Sequence, residues 1–263
     1  MFLLLTAVLV VVFVLAMALG PVATNRVRRV WCRGTARILG LRLAASGQPF
    51  MDCPTLFVAN HVSYLDILVL GGQLDATFIA KAEVASWPLF GLLGRITRTF
   101  FIKRHWRQAL IQRNALAARL RDGESFILFA EGTSGNGLGV RRLKTSLLSV
   151  AEPWVLDCPV AVQPVTLAYV RLADGSPVDH RNCDHYAWHG DAQLVPHLWA
   201  VLQMDGIEVR TMLGEPTLSW SVQSRKLLGF ELREHIEQQL TLAHAATAIA
   251  AEPPLHPSVA GAG

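Results

Sequence analysis

The chain has 263 residues, of which 52% are hydrophobic, with a mean hydropathy of +0.35 and a formal net charge of +4. That hydropathy is high for a protein that never meets lipid, so membrane contact has to be considered, and the length allows one large domain or two small ones. The arginines are scattered instead of forming one stripe interleaved with aromatics, which argues against a nucleic-acid module, and Cys32, Cys53, Cys158 and Cys183 form no Cys-x-x-Cys pair, which argues for free thiols in a reducing compartment over a disulfide frame.

Residues 2–19 (FLLLTAVLVVVFVLAMAL) carry no charge, and a bilayer-spanning helix needs roughly 20 apolar residues. A cleaved signal peptide competes with the anchor reading, because Ala16, Met17 and Ala18 resemble a cleavage site. Signal peptides carry positive charge before the apolar run. Here it follows, at Arg26, Arg28, Arg29 and Arg33. The anchor is therefore preferred, and positive flanks place the main domain on the cytoplasmic side of a cell inner membrane. The expected division is an anchor at 1–22, an interfacial basic helix at 23–47, a main domain at 48–250 and a disordered tail at 251–263. For 23–47 two readings stay open: a helix lying among headgroups with arginines toward phosphates, or a domain helix with a solvated basic face.

Strands are expected at 55–59 (TLFVA), 76–80 (ATFIA), 98–104 (RTFFIKR), 125–132 (SFILFAEG), 159–170 (PVAVQPVTLAYV, interrupted by Pro164) and 207–214 (IEVRTMLG). Between them lie a short or kinked helix at 83–94 containing Pro88 and a basic amphipathic helix at 105–123. A long helix begins near Val222 and reaches the alanine-rich tract around Ala245. The alternation predicts an α/β fold, a mostly parallel central sheet flanked by helices, preceded by the membrane-anchoring segment. Sites in such sheets gather beyond the carboxyl ends of strands.

After TLFVA comes NHVSYLD. Asn60, His61, Ser63 and Asp66 interrupt an apolar surround, and buried polar groups need partners. Four residues separate His61 from Asp66, so on a regular helix they would point about 140° apart. They meet only if His61 sits in a turn and Asp66 in the first helical turn. Asp66 then accepts the Nδ1 proton and leaves Nε2 as the acceptor a general base requires. Ser63 is read as the helix cap, with Asn60 structural beside it. No Gly-x-Ser-x-Gly elbow exists, which removes a serine triad. Taken alone, a His and an Asp at this spacing are weak evidence of catalysis, and a structural pairing is the preferred reading.

The block NHVSYLD resembles the Asn-His-x-Ser-x-x-Asp block of the glycerolipid acyltransferases, the family that includes lysophosphatidate acyltransferase. FFIKR (100–104), FAEGTSGNG (129–137) and VQPVTLAY (162–169) resemble its next three blocks, in order and at family-like separations. The resemblance implies that His61 takes a proton from an acceptor hydroxyl attacking an acyl thioester, with Asp66 orienting His61. It implies that Arg104 holds the acceptor headgroup, a role suited to its planar fork, and that Glu131, Gly132 and Thr133 bind the acceptor. Lys144 is matched to a family lysine and read as a phosphate contact or a solvated side chain. Residues 139–146 (GVRRLKTS) have Leu143 where a Walker loop needs glycine, so nucleotide hydrolysis is rejected.

Two departures matter. Ala130 replaces the family proline, and Ser134 stands where lysophosphatidate enzymes carry arginine. Phosphate binding would then rest on Arg104 with Lys144, Arg141 or Arg142, which raises the case for an acceptor without a phosphomonoester. The expected donors are acyl-CoA or acyl carrier protein. The expected acceptor is lysophosphatidate first and lyso-ornithine lipid second, both membrane lysolipids. A non-catalytic lipid-binding protein and a hydrolase are the alternatives of another class. No metal or organic cofactor is expected. His185 and His189 have the spacing of a ligand pair, but Gly190 and the aromatics around them read as a loop.

Overall fold

The computed structural model describes residues 21–251 apart from 88–90, 92–93, 95–96 and 104. The segment expected to anchor the chain, residues 2–19, and the tail from 252 onward lie outside the described residues. Among the described residues no helix is long and apolar enough to cross a membrane.

One eight-stranded sheet organises the domain. Its strands are β1 (Leu41–Ser46), β2 (Thr55–Ala59), β3 (Thr77–Lys81), β4 (Phe100–Ile102), β5 (Phe126–Phe129), β6 (Ala161–Leu172), β7 (Ile207–Leu213) and β8 (Thr217–Leu218). They lie in the order β1-β7-β6-β2-β5-β3-β4, with β8 added to β6. The pairs from β6 to β4 are parallel. β7 runs against β6, and β1 follows β7. The mostly parallel α/β sheet is thus as expected. Its helices are α1 (Pro21–Ile38), α2 (Leu65–Gln73), α3 (Ala109–Arg121), α4 (Leu194–Leu202) and α5 (Arg225–Ala251).

β2 shows why its residues 56–59 are apolar without a break. Leu56 and Val58 join one core cluster, with Leu116 and Leu120 of α3 and Leu228, Leu232 and Ile236 of α5. Phe57 and Ala59 join the other, with Cys32 and Ala36 of α1, Leu68 and Leu70 of α2 and Val201 of α4. A parallel strand covered on both faces has no side for polar residues.

Three expectations need correction. Residues 23–47 do not stand apart from the domain. α1 ends at Ile38 and the chain continues as strand β1, paired with β7. Arg28 is buried, and its guanidinium donates to the carbonyls of Ala76 at 2.6 Å and Leu74 at 3.2 Å, closing the carboxyl end of α2 where a cation is favoured. Gly71 permits this packing, since a Cβ there would lie 2.8 Å from Cys32 Sγ. Arg26 and Arg37 remain exposed on the outer side of α1, while Arg33 Nε donates to the Gly72 carbonyl at 2.7 Å. Second, β6 runs through Pro164 without interruption. The Pro164 carbonyl accepts from Gly214 N–H, so its missing N–H faces the same edge. There β8 pairs only with Ala161 and Val162, and β7 takes over at Val165; no ladder bond is lost. Third, the helix expected over 83–94 begins as a 3-10 turn at Ala82–Ser86, and most of its remainder lies outside the described residues.

Candidate active site

The loop from Asn60 to Tyr64 joins the end of β2 to α2, at the carboxyl edge of the parallel strands. Asn60 pins it. Its side chain donates to the Leu167 carbonyl at 2.9 Å and accepts from Leu167 N–H at 2.7 Å, bridging to β6. It ties the loop to β6 and caps no helix. The Ser63 hydroxyl does not cap either: it is buried and finds no partner among the described residues. Asp66 closes this turn by reaching back, and its Oδ2 accepts from the N–H groups of Val62 at 2.7 Å and Ser63 at 3.1 Å.

The same Oδ2 lies 2.7 Å from His61 Nδ1, and Oδ1 accepts from the Tyr169 hydroxyl at 2.7 Å. Asp66 is fully buried while the His61 side chain is 20% exposed. With donors at both oxygens, Asp66 accepts a hydrogen bond from Nδ1–H, and Nε2 is left as a lone-pair acceptor. The imidazole stacks on Phe129, the last residue of β5, at 4.2 Å between centroids and 18° between planes. Its backbone is held at both ends, with N–H on Glu131 Oε1 and the carbonyl on Gly135 N–H, each at 2.8 Å.

Tyr169 reaches Asp66 because β6 outruns β2. Ala59, the end of β2, pairs with Val165, so Tyr169 lies four residues, or about 13 Å, farther along the strand. A register slip between Tyr169 and Arg171 marks a bulge there, a device that re-aims side chains. Burial pushes the Tyr169 hydroxyl well above its ordinary pKa, so it remains a donor. Tyr186 stacks on it at 4.6 Å and 8°.

The expected acceptor-binding residues divide. Arg104 lies outside the described residues. Gly132 and Thr133 line the cleft beside His61, and Gly132 adopts φ +78°, a left-handed conformation that suits glycine. Glu131 differs from the expectation of acceptor contact. It is buried, and its two oxygens accept from the N–H groups of His61 at 2.8 Å and Arg141 at 2.9 Å. Burial raises its pKa, while those two amides oppose the rise. Glu131 therefore works through the backbone that carries His61. Lys144 is exposed, does not line the cleft, and uses its N–H on the Ala130 carbonyl at 2.8 Å. Ser134 is buried, its hydroxyl donating to the Trp188 carbonyl.

The cleft has a volume of ≈ 550 Å³. His61, Lys81, Glu83 and Thr133 contribute polar groups, and Ile67, Phe78, Val84, Trp87, Phe129 and Trp188 give it largely apolar walls. Tyr64, another lining residue, has its hydroxyl 3.0 Å from His197 Nδ1. Neither Tyr64 nor Tyr169 stood out in the sequence, because nothing local marks a tyrosine as a partner of distant groups. His185 ends a single 3-10 turn, and His189 Nε2 lies 2.9 Å from Asp184 Oδ1. Among the described residues no group of three or more His, Cys, Asp or Glu converges on one point.

Residues 44–168 match the family model described as Acyltransferase. The lyso-ornithine lipid O-acyltransferase of Brucella abortus is 35% identical over 82% of this chain and 82% of its own length. The chain belongs to the acyltransferase family. The lyso-ornithine lipid O-acyltransferase of Rhizobium meliloti is 38% identical over 81% of this acyltransferase and 75% of its own chain. The 1-acyl-sn-glycerol-3-phosphate acyltransferase of Neisseria meningitidis serogroup B is 30% identical over 72% and 71%. The crystal structure of the 1-acyl-sn-glycerophosphate acyltransferase of Thermotoga maritima superposes with TM-score 0.60 at 20% identity, over 84% of this chain and 79% of that one. That likeness carries the fold. The matched residues 44–168 include His61, Asp66 and Glu131 and stop one position before Tyr169.

Proposed function

We propose that this acyltransferase moves a fatty acyl group from a thioester, acyl-CoA or acyl carrier protein, to the free hydroxyl of a membrane lysolipid, and that the acceptor is lyso-ornithine lipid. The observation that carries the reaction is the His61–Asp66 pair, held at 2.7 Å in an apolar-walled cleft. A non-catalytic lipid binder has no use for a histidine whose tautomer is fixed by a buried carboxylate. As the acceptor oxygen bonds to the thioester carbonyl carbon, His61 Nε2 takes its proton. Collapse of the tetrahedral adduct breaks the carbon–sulfur bond, and the thiolate leaves with that proton. The products are an ester and a free thiol.

Two observations favour lyso-ornithine lipid. Ser134 gives its hydroxyl to the Trp188 carbonyl and places no cation there for a phosphomonoester. Relatives named for lyso-ornithine lipid match at 35% and 38% identity over more than four-fifths of the chain. Lysophosphatidate is the second reading, supported by the Neisseria relative. The apolar segment at 2–19 followed by arginines supports attachment to the inner membrane with the domain on the cytoplasmic side.

The test is an acceptor panel of lyso-ornithine lipid and lysophosphatidate, each with both donors. Acylated product from lyso-ornithine lipid is expected, at a higher kcat/KM than from lysophosphatidate. The reverse order overturns the acceptor assignment. Free fatty acid without acylated lipid would make the protein a hydrolase.

A further inference from the structure

Helix α4 is unusual for a surface element. Its nine residues, LVPHLWAVL, include no acidic residue, lysine or arginine, and His197 is the one polar side chain. Burial lowers the pKa of His197, which keeps the helix uncharged at neutral pH. Of the nine side chains only Val201 is buried. Val195, Trp199 and Leu202 are exposed by 76%, 64% and 46%, and positions i, i+4 and i+7 fall on one stripe of a helix. Apolar surface of this kind in water is unfavourable unless something covers it.

The helix is joined to the site. Leu194 lines the cleft, and His197 Nδ1 meets the hydroxyl of Tyr64, which lines it too. α4 also packs in the same core cluster as α1, so both helices cover one face of the sheet. The outer side of α1 carries the exposed Arg26 and Arg37.

We propose that α4 docks on the bilayer, with Val195, Trp199 and Leu202 entering the boundary between headgroups and acyl chains. The cleft mouth is thereby seated where a lysolipid can enter without crossing water. This rests on the lysolipid reading above. The chemistry of the stripe favours a bilayer as its cover. Tryptophan is enriched at membrane interfaces, and amphipathic helices lie there by their apolar side. The arginines on α1, which covers the same face of the sheet, suit anionic headgroups. A second protein copy fits poorly, because three side chains fall far short of the roughly 800 Å² per partner of a stable interface.

Two measurements on the full chain test this. Tryptophan fluorescence of the wild type and of Trp199→Phe is compared in vesicles of phosphatidylethanolamine and phosphatidylglycerol containing bromine-labelled acyl chains. The difference between the two proteins isolates Trp199 among the seven tryptophans. That share is expected to be quenched, and an unquenched share overturns the proposal. This readout needs no turnover, so it separates docking from chemistry: an enzyme inactive on every acceptor but quenched at Trp199 would sink the lysolipid reading alone.

The second measurement is transfer by Trp199→Glu. Its kcat/KM for a long-chain lysolipid in vesicles should fall about tenfold, equivalent to about 1.4 kcal/mol. Its kcat/KM for a short-chain, monomeric lysolipid should stay unchanged. Equal loss on both acceptors, or loss on neither, overturns the proposal. A dimer that Trp199→Glu converts to monomer by light scattering would assign the stripe to a second copy instead.

Discussion

Asp66 accepts hydrogen bonds from four groups, and only the His61 ring among them belongs to the proposed chemistry. The Val62 and Ser63 amides fix Oδ2 through the turn itself, so Tyr169 is the one remote donor, set on β6 and 103 positions away. A hydrogen bond to a charged group contributes about 1.5–3 kcal/mol. Tyr169→Phe should therefore lower thermal stability and reduce kcat through a less firmly held imidazole, with acceptor KM unchanged. A KM increase without a kcat change would show that Tyr169 shapes the cleft instead. His61→Ala removes the base itself, and a fall of about 10²–10⁴ in kcat is expected, with an unchanged circular dichroism spectrum showing that the fold survives. Glu131→Gln offers one acceptor and one donor to two amide donors, leaving the N–H of His61 or Arg141 facing an NH₂. A loss of about 1–3 kcal/mol is expected, read by denaturant titration, together with slower turnover. The sequence made His61 and Asp66 legible because both lie in one turn and their spacing limits how they can meet. It made Glu131 legible as a functional position but not its role, because a carboxylate that grips backbone amides looks the same in a sequence as one that grips a ligand.

α5 acts as a clamp on the loop that carries Gly132, Thr133 and Ser134. Arg233 donates twice to the Val140 carbonyl, at 3.2 and 3.1 Å, Glu237 accepts from Val140 N–H at 2.8 Å, and His244 Nε2 lies 3.3 Å from the Gly137 carbonyl. Burial lowers the His244 pKa below 6.5, against the smaller opposing effect of its bond to Gly137. A depressed histidine binds fewer protons folded than unfolded, so its contribution is fully present above pH 6.5 and is lost as pH falls below it. His244→Gln keeps an N–H donor and does not titrate, and its stability should fall less steeply than the wild type's below pH 6.5. Urea titrations across that range check this; identical slopes would exclude His244, while a residual slope is expected because burial lowers His197 as well. At this scale the sequence was read well where an element is buried on both faces, as in β2, or long and periodic, as in α5. It was read poorly where tertiary context decides. β1 went unnoticed because LRLAAS is exposed over much of its length and takes strand form by pairing with β7. α4 went unnoticed because an apolar stretch with a single buried side chain has no two-sided pattern to detect. Pro164 looked like a break because the change-over from β8 to β7 that tolerates it is invisible along the chain.

For the molecule as a whole, α1 is part of the folded domain. Arg28 satisfies the carbonyls of Leu74 and Ala76, Arg33 Nε donates to Gly72 O at 2.7 Å, and Cys32 and Ala36 belong to the core beneath α2. Two truncations separate the roles. Removing residues 1–20 should leave the melting temperature of the domain within a few degrees of the full chain, since core packing and the closure of α2 are retained. It should also shift much of the protein from the membrane pellet to the supernatant on fractionation, because the apolar segment is lost. Removing residues 1–38 should prevent stable folding. Carbonyls at the end of α2 lose their buried donor, at about 1–3 kcal/mol for each polar group left unsatisfied, and the apolar face over Leu68 and Leu70 is opened to water, against a total stability of only about 5–15 kcal/mol for a typical domain. A shorter truncation that melts far below the full chain would place residues 1–20 within the folded unit. A longer truncation that folds normally would restore the division at residue 47, with α1 as a separable interfacial helix.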